Sequence, residues 1–142
     1  MKTSARNQFS GTVSRVVAGA VNDEVLIDVP GLGTIVAIVT HESALNLGLV
    51  VGAKAFGLVK ASSVIVVTQA EGAKFSARNQ LQGQVVRVVK GAVNTEVVIG
   101  LAGGAQVAAI VTNESADALG LATGVTAAAL FKASSVIVGV PA

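Results

Sequence analysis

Gly11-Thr12-Val13-Ser14-Arg15-Val16-Val17 places apolar and polar residues in alternation, the period-two pattern of a strand with one face buried. Its branched residues favour the pleated, half-buried surface of a sheet. Downstream, Gly19-Ala20-Val21-Asn22 supplies turn chemistry, since Gly and Asn both tolerate positive φ, and Glu24-Val25-Leu26-Ile27-Asp28-Val29 predicts a second strand. Pro30-Gly31-Leu32-Gly33 predicts a turn and residues 34–40 a third strand. One helical segment follows at residues 42–47, with Thr40 or Ser43 as its cap, Glu42 near its positive end and Gly48 as its stop. Residues 53–59 and 63–68 predict the last two strands. Five short strands with one short helix between the third and fourth is the order of an OB-like barrel.

The chain says all of this twice. Ser4-Ala5-Arg6-Asn7-Gln8 returns as Ser76-Ala77-Arg78-Asn79-Gln80, and Thr40-His41-Glu42-Ser43 returns as Thr112-Asn113-Glu114-Ser115. Lys60-Ala61-Ser62-Ser63-Val64-Ile65-Val66 returns as Lys132-Ala133-Ser134-Ser135-Val136-Ile137-Val138, at the same spacing and with no insertion or deletion. The period exceeds the roughly 20–50 residues of solenoid units, so each copy is long enough for a core of its own. The sequence therefore predicts an all-β chain of two tandem OB-like five-stranded barrels, each with one short helix, at residues 1–68 and 76–142. The linker at 69–75 is too short for independent tumbling, so the barrels are expected to pack together in fixed register.

Composition bounds the function. Half of a 142-residue chain is near the lower limit for a single hydrophobic core, so burial between domains or subunits is expected, and with it a homo-oligomer. With four Phe, one Met and no Trp or Tyr, the core must be Val, Ile, Leu and Ala. The absence of Cys removes disulfides and thiolate metal sites and suits a reducing cytoplasm. No charged and apolar leader opens the chain, which predicts no secretory signal. The apolar stretch at residues 47–67 is interrupted by Lys54, Lys60, Ser62, Ser63 and glycines, against a membrane span. A net charge of +2, dispersed along the chain, is too small for a nucleic-acid footprint.

Catalysis has little to work with. The single His, His41, is Asn113 in the other copy, and the acidic pair Asp23-Glu24 becomes Thr95-Glu96. A lone His beside a helix start reads as a solvated or capping residue, and no duplicated base stands with a nucleophile. Only Glu24/Glu96 and Glu42/Glu114 are duplicated carboxylates, which argues against an oxygen-ligated cation. Glu42 and Glu114 read as partners of the helix dipole, since a carboxylate aimed at an oxyanion repels it.

The duplicated polar set consists of hydrogen-bond donors: Ser4, Arg6, Thr40, Ser43, Lys60, Ser62 and Ser63 with their counterparts. Hydroxyls, a guanidinium, an ammonium and helix-start amides are the parts of an oxyanion site. Donors without an acceptor suit a tetrahedral dianion that carries no proton at neutral pH, whereas monohydrogen phosphate needs an acceptor for its own O–H. Molybdate, tungstate and sulfate meet that condition. Each segment also has a bland reading: a frayed terminus for Ser4-Ala5-Arg6-Asn7, a polar hairpin turn for Lys60-Ala61-Ser62-Ser63, and simple helix caps for Thr40 and Ser43. The internal return of all three weighs against the first two readings, and capping is compatible with binding.

These motifs, together with Gly-Ala-Val-Asn-x-Glu-Val in the middle of each copy, resemble the molbindin (Mop, or TOBE) domain over nearly the whole chain, in the tandem di-Mop form of cytoplasmic molybdate-binding proteins. The resemblance implies binding of molybdate or tungstate between Mop units for intracellular storage and homeostasis, with no cofactor and no enzymatic activity, in a trimer of two-domain chains. It implies one half-site of Ser4, Ala5, Arg6, Lys60, Ala61 and Ser62 and another of Ser76, Ala77, Arg78, Lys132, Ala133 and Ser134. Thr40, Ser43, Thr112 and Ser115 would face them from a partner unit. A second class of site on the threefold axis would fall to Val21, Asn22, Val93 and Asn94.

Competing functions differ in the parts they need. A molybdate-sensing regulatory module would act through a partner protein, since no helix-turn-helix pattern is present in the sequence. A transport ATPase needs a Gly-x-x-x-x-Gly-Lys-Ser/Thr loop, which is absent. An oligonucleotide-binding barrel needs exposed aromatic platforms, which four Phe across two domains do not supply.

Overall fold

Strand β1 (Asn7–Val17) changes partner midway, and this bend organises each half of the molecule. In the computed structural model, which describes residues 1–142, Asn7 to Thr12 pair with β4 (Lys54–Val59) and Thr12 to Val17 pair with β2 (Asn22–Val29). A bulge between Val13 and Arg15 tightens the local twist. Gly11 sits at the changeover because a Cβ there would run into the Asp28 carbonyl, and Gly83 faces the Gly100 carbonyl in the same way. β2 pairs antiparallel with β3 (Gly33–Thr40), which runs into helix α1 (His41–Leu47).

Thr40 caps α1 by accepting from the Ser43 amide at 3.1 Å, and Gly48 closes the helix in the left-handed conformation, at φ 65°. A single 3₁₀ turn (Ala61–Ser63) and β5 (Ile65–Val67) end the first copy. The second copy repeats the order with β6 (Asn79–Lys90), β7 (Asn94–Leu101), β8 (Gln106–Thr112), α2 (Asn113–Ala118), β9 (Thr126–Phe131), a 3₁₀ turn (Ala133–Ser135) and β10 (Ile137–Gly139). Strands, helices and turns thus fall where the alternation and the cap residues predict them, within a residue or two for most boundaries. The apolar stretch at residues 47–67 is built mainly of β4, a 3₁₀ turn and β5, and no helix is long and apolar enough to cross a membrane.

The copies exchange their last strands. One five-stranded sheet has the order β10-β4-β1-β2-β3 and the other β5-β9-β6-β7-β8. Thus β5 leaves the first copy and pairs with β9, Ile65 opposite Leu130, while β10 returns to pair with β4, Ile137 opposite Leu58. In each sheet the exchanged strand also touches the far edge, β10 against β3 and β5 against β8, which curls the sheet into an OB-like barrel.

Inward residues alternate along each strand, with Val25, Ile27, Ile35, Ala37 and Val59 inaccessible in one barrel and Val97, Ile99, Val107, Ala109 and Phe131 in the other. The sequence leaves room for a core in each copy; with the exchange, one apolar cluster runs through both. The turns between the paired strands also meet, the Ala105 amide donating to the Gly31 carbonyl at 3.1 Å.

Candidate functional site

Two segments far apart in sequence converge on one groove in each half. The chain leading into β1 brings Ser4, Ala5 and Arg6 to a groove of about 410 Å³, whose other side is the turn Lys60, Ala61, Ser62 and Ser63. Leading into β6, Ser76, Ala77 and Arg78 meet Lys132, Ala133, Ser134 and Ser135 around a groove of about 520 Å³. The extended chain before each 3₁₀ turn leaves Lys60 and Lys132 exposed while Ala61 and Ala133 are buried beneath, so an ammonium and the Ser62 or Ser134 hydroxyl face outward from a fixed base. A larger concavity, about 630 Å³ between residues 67–71 and β9, has Glu71 as its one charged lining residue and no cation.

Both copies build both grooves. Ile110, Ser135 and Ile137 of the second copy line the first, and Ile38, Ser63 and Ile65 of the first copy line the second. The arginines are tied across the copies as well. Arg78 donates from Nη1 and Nη2 to the two carboxylate oxygens of Glu24 at 2.7 and 3.0 Å, and Arg6 pairs with Glu96, which also lies 3.9 Å from Arg87. The hydrogen bonds from Arg78 hold the Glu24 carboxyl below the ordinary carboxylate range and raise the guanidinium in turn. An end-on fork of this kind uses one proton on each Nη, and a guanidinium carries five, so Arg78 keeps further donors for a ligand.

Beneath the arginines stand two buried amides. Asn7 Nδ2 donates to the Ala108 carbonyl and its Oδ1 accepts from the Ala108 amide, both at 2.8 Å; Asn79 makes the same pair with Val36, also at 2.8 Å. In the sequence these asparagines stand in a repeated motif that carries no sign of their role. Glu24 and Glu96 likewise appear in the sequence only as duplicated carboxylates too few for a metal site. Their cross-copy partners lie some tens of residues or more away, and the single available signal was exact duplication.

Thr40, Ser43, Thr112 and Ser115 line neither groove. Each threonine hydroxyl accepts from the serine amide at 3.1 Å and bonds the serine hydroxyl, at 2.7 Å for Thr40 and 2.9 Å for Thr112, so it is the serine O–H that remains free to donate. Val21-Asn22 and Val93-Asn94 lie beside these loops, with Val21 and Val93 largely exposed and Asn22 opposite Thr40 in the ladder. The backbone amides of His41 and Asn113 donate to the Val21 and Val93 carbonyls at 2.8 and 3.0 Å.

His41 is more than a solvated cap. Its Nδ1 lies 2.9 and 3.0 Å from the two oxygens of buried Asp23, which also accepts from the Gly19 amide at 3.0 Å. The Gly19 bond is the main influence holding the Asp23 carboxyl below its ordinary range, with the His41 bond adding to it. In the second copy Thr95 bonds Asn113 at 2.6 Å, and Asn113 donates to the Gly91 carbonyl at 2.9 Å. The differences at positions 23/95 and 41/113 are therefore one paired change.

A family model described as TOBE domain matches residues 3–66 and again residues 76–138. The chain belongs to the TOBE-domain family. Its two TOBE copies are 48% identical over 140 residues to the molybdenum transport protein ModE of Herbaspirillum seropedicae, covering 99% of this chain and 52% of that protein. The molybdenum-pterin-binding protein MopA of Rhodobacter capsulatus is 44% identical over 141 residues, covering 99% and 53% respectively. The chain thus spans about half the length of these curated relatives. A solved structure of the cytoplasmic molybdate-binding protein ModG, with molybdate bound, superposes with a TM-score of 0.94 at 48% identity, covering 99% of this chain and 100% of that one. The tandem TOBE arrangement and its two antiparallel five-stranded sheets are thus those of a di-Mop molbindin.

Proposed function

We propose that this chain binds molybdate or tungstate reversibly and without catalysis, as an intracellular store that buffers the oxyanion. One observation carries the reading: in both halves a Ser-Ala-Arg segment and a Lys-Ala-Ser segment, remote in sequence, line one groove with hydroxyl, guanidinium and ammonium groups. The names of ModE and MopA and the molybdate held by ModG support the choice of anion.

In this reading the chain works as a cytoplasmic homotrimer. Thr40, Ser43, Thr112 and Ser115, which line no groove within the chain, are supplied to the grooves of a neighbouring subunit. The Val21-Asn22 and Val93-Asn94 turns gather around the threefold axis as a second class of site. Exposed Val21, Val93, Ile65 and Ile137 give the trimer apolar surface to bury. A second reading, a molybdate-sensing module acting through a partner protein, is favoured by the relatives named ModE, of which this chain matches about half.

Competition calorimetry near neutral pH tests the proposal. Molybdate and tungstate are expected to outcompete phosphate strongly and sulfate less strongly. Equal affinity for phosphate overturns the donor-only site. Native mass spectrometry of protein grown with molybdate reads the trimer and its bound anions together, and a monomer across micromolar concentrations in sedimentation overturns the assembly.

A further inference from the structure

We propose that Asn7 and Asn79 are positioning residues for the anion grooves, each docking the Ser-Ala-Arg segment of its own copy onto a strand of the opposite copy. The inference rests on the function proposed above. A primary amide offers one donor and one acceptor side by side, as a strand neighbour's peptide group does. Asn7 uses both on Ala108 of β8 and Asn79 uses both on Val36 of β3, and each asparagine is 2% exposed.

The platform matters because the other half of each groove stands on it too. The 3₁₀ turn Ala61–Ser63, which follows Lys60, packs against β8, and the turn Ala133–Ser135 packs against β3. Strand β8 is therefore the common reference for the donor segments of the first groove, and β3 for those of the second. Ser4, Ala5 and Arg6 precede β1 and belong to no ladder. Beyond the short local bond from the Ala5 amide to Thr3 Oγ1, at 3.1 Å, and the pairing of Asn7 with Val59 where the β1–β4 ladder begins, the segment is tied down by the Asn7 side chain on Ala108 and by Arg6 on Glu96. The segment at Ser76 has one more tie, from Gln80 Nε2 to the Phe75 and Ala77 carbonyls at 3.1 and 2.8 Å, so the first groove depends more heavily on its asparagine.

The test uses the full chain carrying Lys132→Ala, which weakens the second groove by roughly one to two decades, so that the first groove fills first in a molybdate titration and its affinity is read from that step. Adding Asn7→Ala is expected to weaken the remaining affinity about tenfold. Val13→Ala, a core truncation on the same strand, is expected to lower the melting temperature without that loss. Unchanged affinity in Asn7→Ala overturns the proposal, as does an equal loss in Val13→Ala at matched stability. If Asn7→Ala fails to fold, Asn7→Ser keeps one small donor and acceptor and is expected to show a smaller loss in the same direction. Backbone amide order parameters of residues 4–6 in the anion-free protein give a readout independent of binding: they should fall in the Asn7 variants, and unchanged values also overturn the docking role. A Lys132→Ala parent that binds no molybdate at all counts against the proposed function, and the order parameters still decide the docking.

Discussion

Arg78 grips Glu24 through both Nη atoms, at 2.7 and 3.0 Å, and the two residues belong to opposite copies of the repeat. Arg6 and Glu96 form the corresponding pair in the other direction, through one Nη atom. Each groove arginine is thus held by a carboxylate near the start of a strand of the other copy, β2 or β7, which orients the guanidinium at half exposure and neutralises one of the two cations lining the groove. The uncompensated charge left in each groove is the ammonium of Lys60 or Lys132.

That division of charge sets the first prediction. Lys60→Ala with Lys132→Ala should weaken molybdate binding by roughly one to two decades, the contribution of a charge-assisted hydrogen bond at each site, while barely moving the melting temperature. Arg6→Ala with Arg78→Ala should weaken binding as well, but it strands Glu24 and leaves Glu96 only Arg87 at 3.9 Å, so its thermal stability should fall too. Calorimetric titration beside thermal melts checks both. Wild-type affinity in both double variants removes these residues from the site.

The Arg78 pair also gives acid sensitivity a definite sign. The Glu24 carboxyl titrates below its ordinary range in the folded protein, so the stability it adds is fully present above the unfolded-state value and is lost as pH falls through the folded one. Asp23, held low mainly by the Gly19 amide and then by His41, acts in the same direction. Denaturant midpoints measured from neutral pH down through the carboxylate range should fall for wild type. The fall should be shallower for Glu24→Gln, and identical slopes would remove this pair as a source of the pH dependence.

How far the sequence reveals this molecule depends on the range over which each interaction acts. Alternation, turn residues and caps are local, so β1 to β4 and α1 are legible from strings such as Gly11 to Val17 and from Thr40 and Gly48. The grooves are legible for a different reason: duplication filters residues, so that Ser4, Arg6 and Lys60 stand out before any fold is known. The exchange of β5 and β10 leaves no such mark. Residues 65–67 have the same apolar, branched character whether they pair with their own β4 or with β9, because period-two patterning fixes which face is buried and not which neighbour is bonded. Asn7 is hidden for a related reason, since its partner is a backbone group at Ala108, and backbone carries no residue identity.

His41 and Asp23 differ from the second copy as a pair, which makes the chain its own double-mutant cycle. Asp23→Thr alone leaves His41 without its carboxylate, and His41→Asn alone leaves a buried carboxylate without its ring donor. The combined Asp23→Thr, His41→Asn variant recreates the Thr95–Asn113 bond of 2.6 Å. Each single change should lower the denaturation midpoint, and the double variant should recover most of the loss through coupling between contacting residues. A double variant as weak as the sum of the singles would mean that the two copies differ here for unconnected reasons.

The last prediction joins the grooves to the assembly. If Thr40, Ser43, Thr112 and Ser115 reach the grooves of neighbouring subunits, each bound dianion bridges two units and offsets the repulsion among the cations it lies between. A ligand that binds only the assembled state stabilises it by RT ln(1 + [L]/Kd), about 2.7 kcal/mol at a hundredfold excess over Kd. Molybdate should therefore raise the melting temperature and slow the mixing of labelled with unlabelled subunits. High salt alone should reproduce only part of this, because screening weakens repulsion without supplying a bridge. Ser43→Ala with Ser115→Ala removes the two hydroxyl protons that the threonines leave free, and it should cut the molybdate-dependent part of both effects while sparing the salt-dependent part. Stoichiometric molybdate binding that changes neither melting nor mixing would confine the sites to single chains, since the free energy of a bridging anion has to appear in the stability of what it bridges.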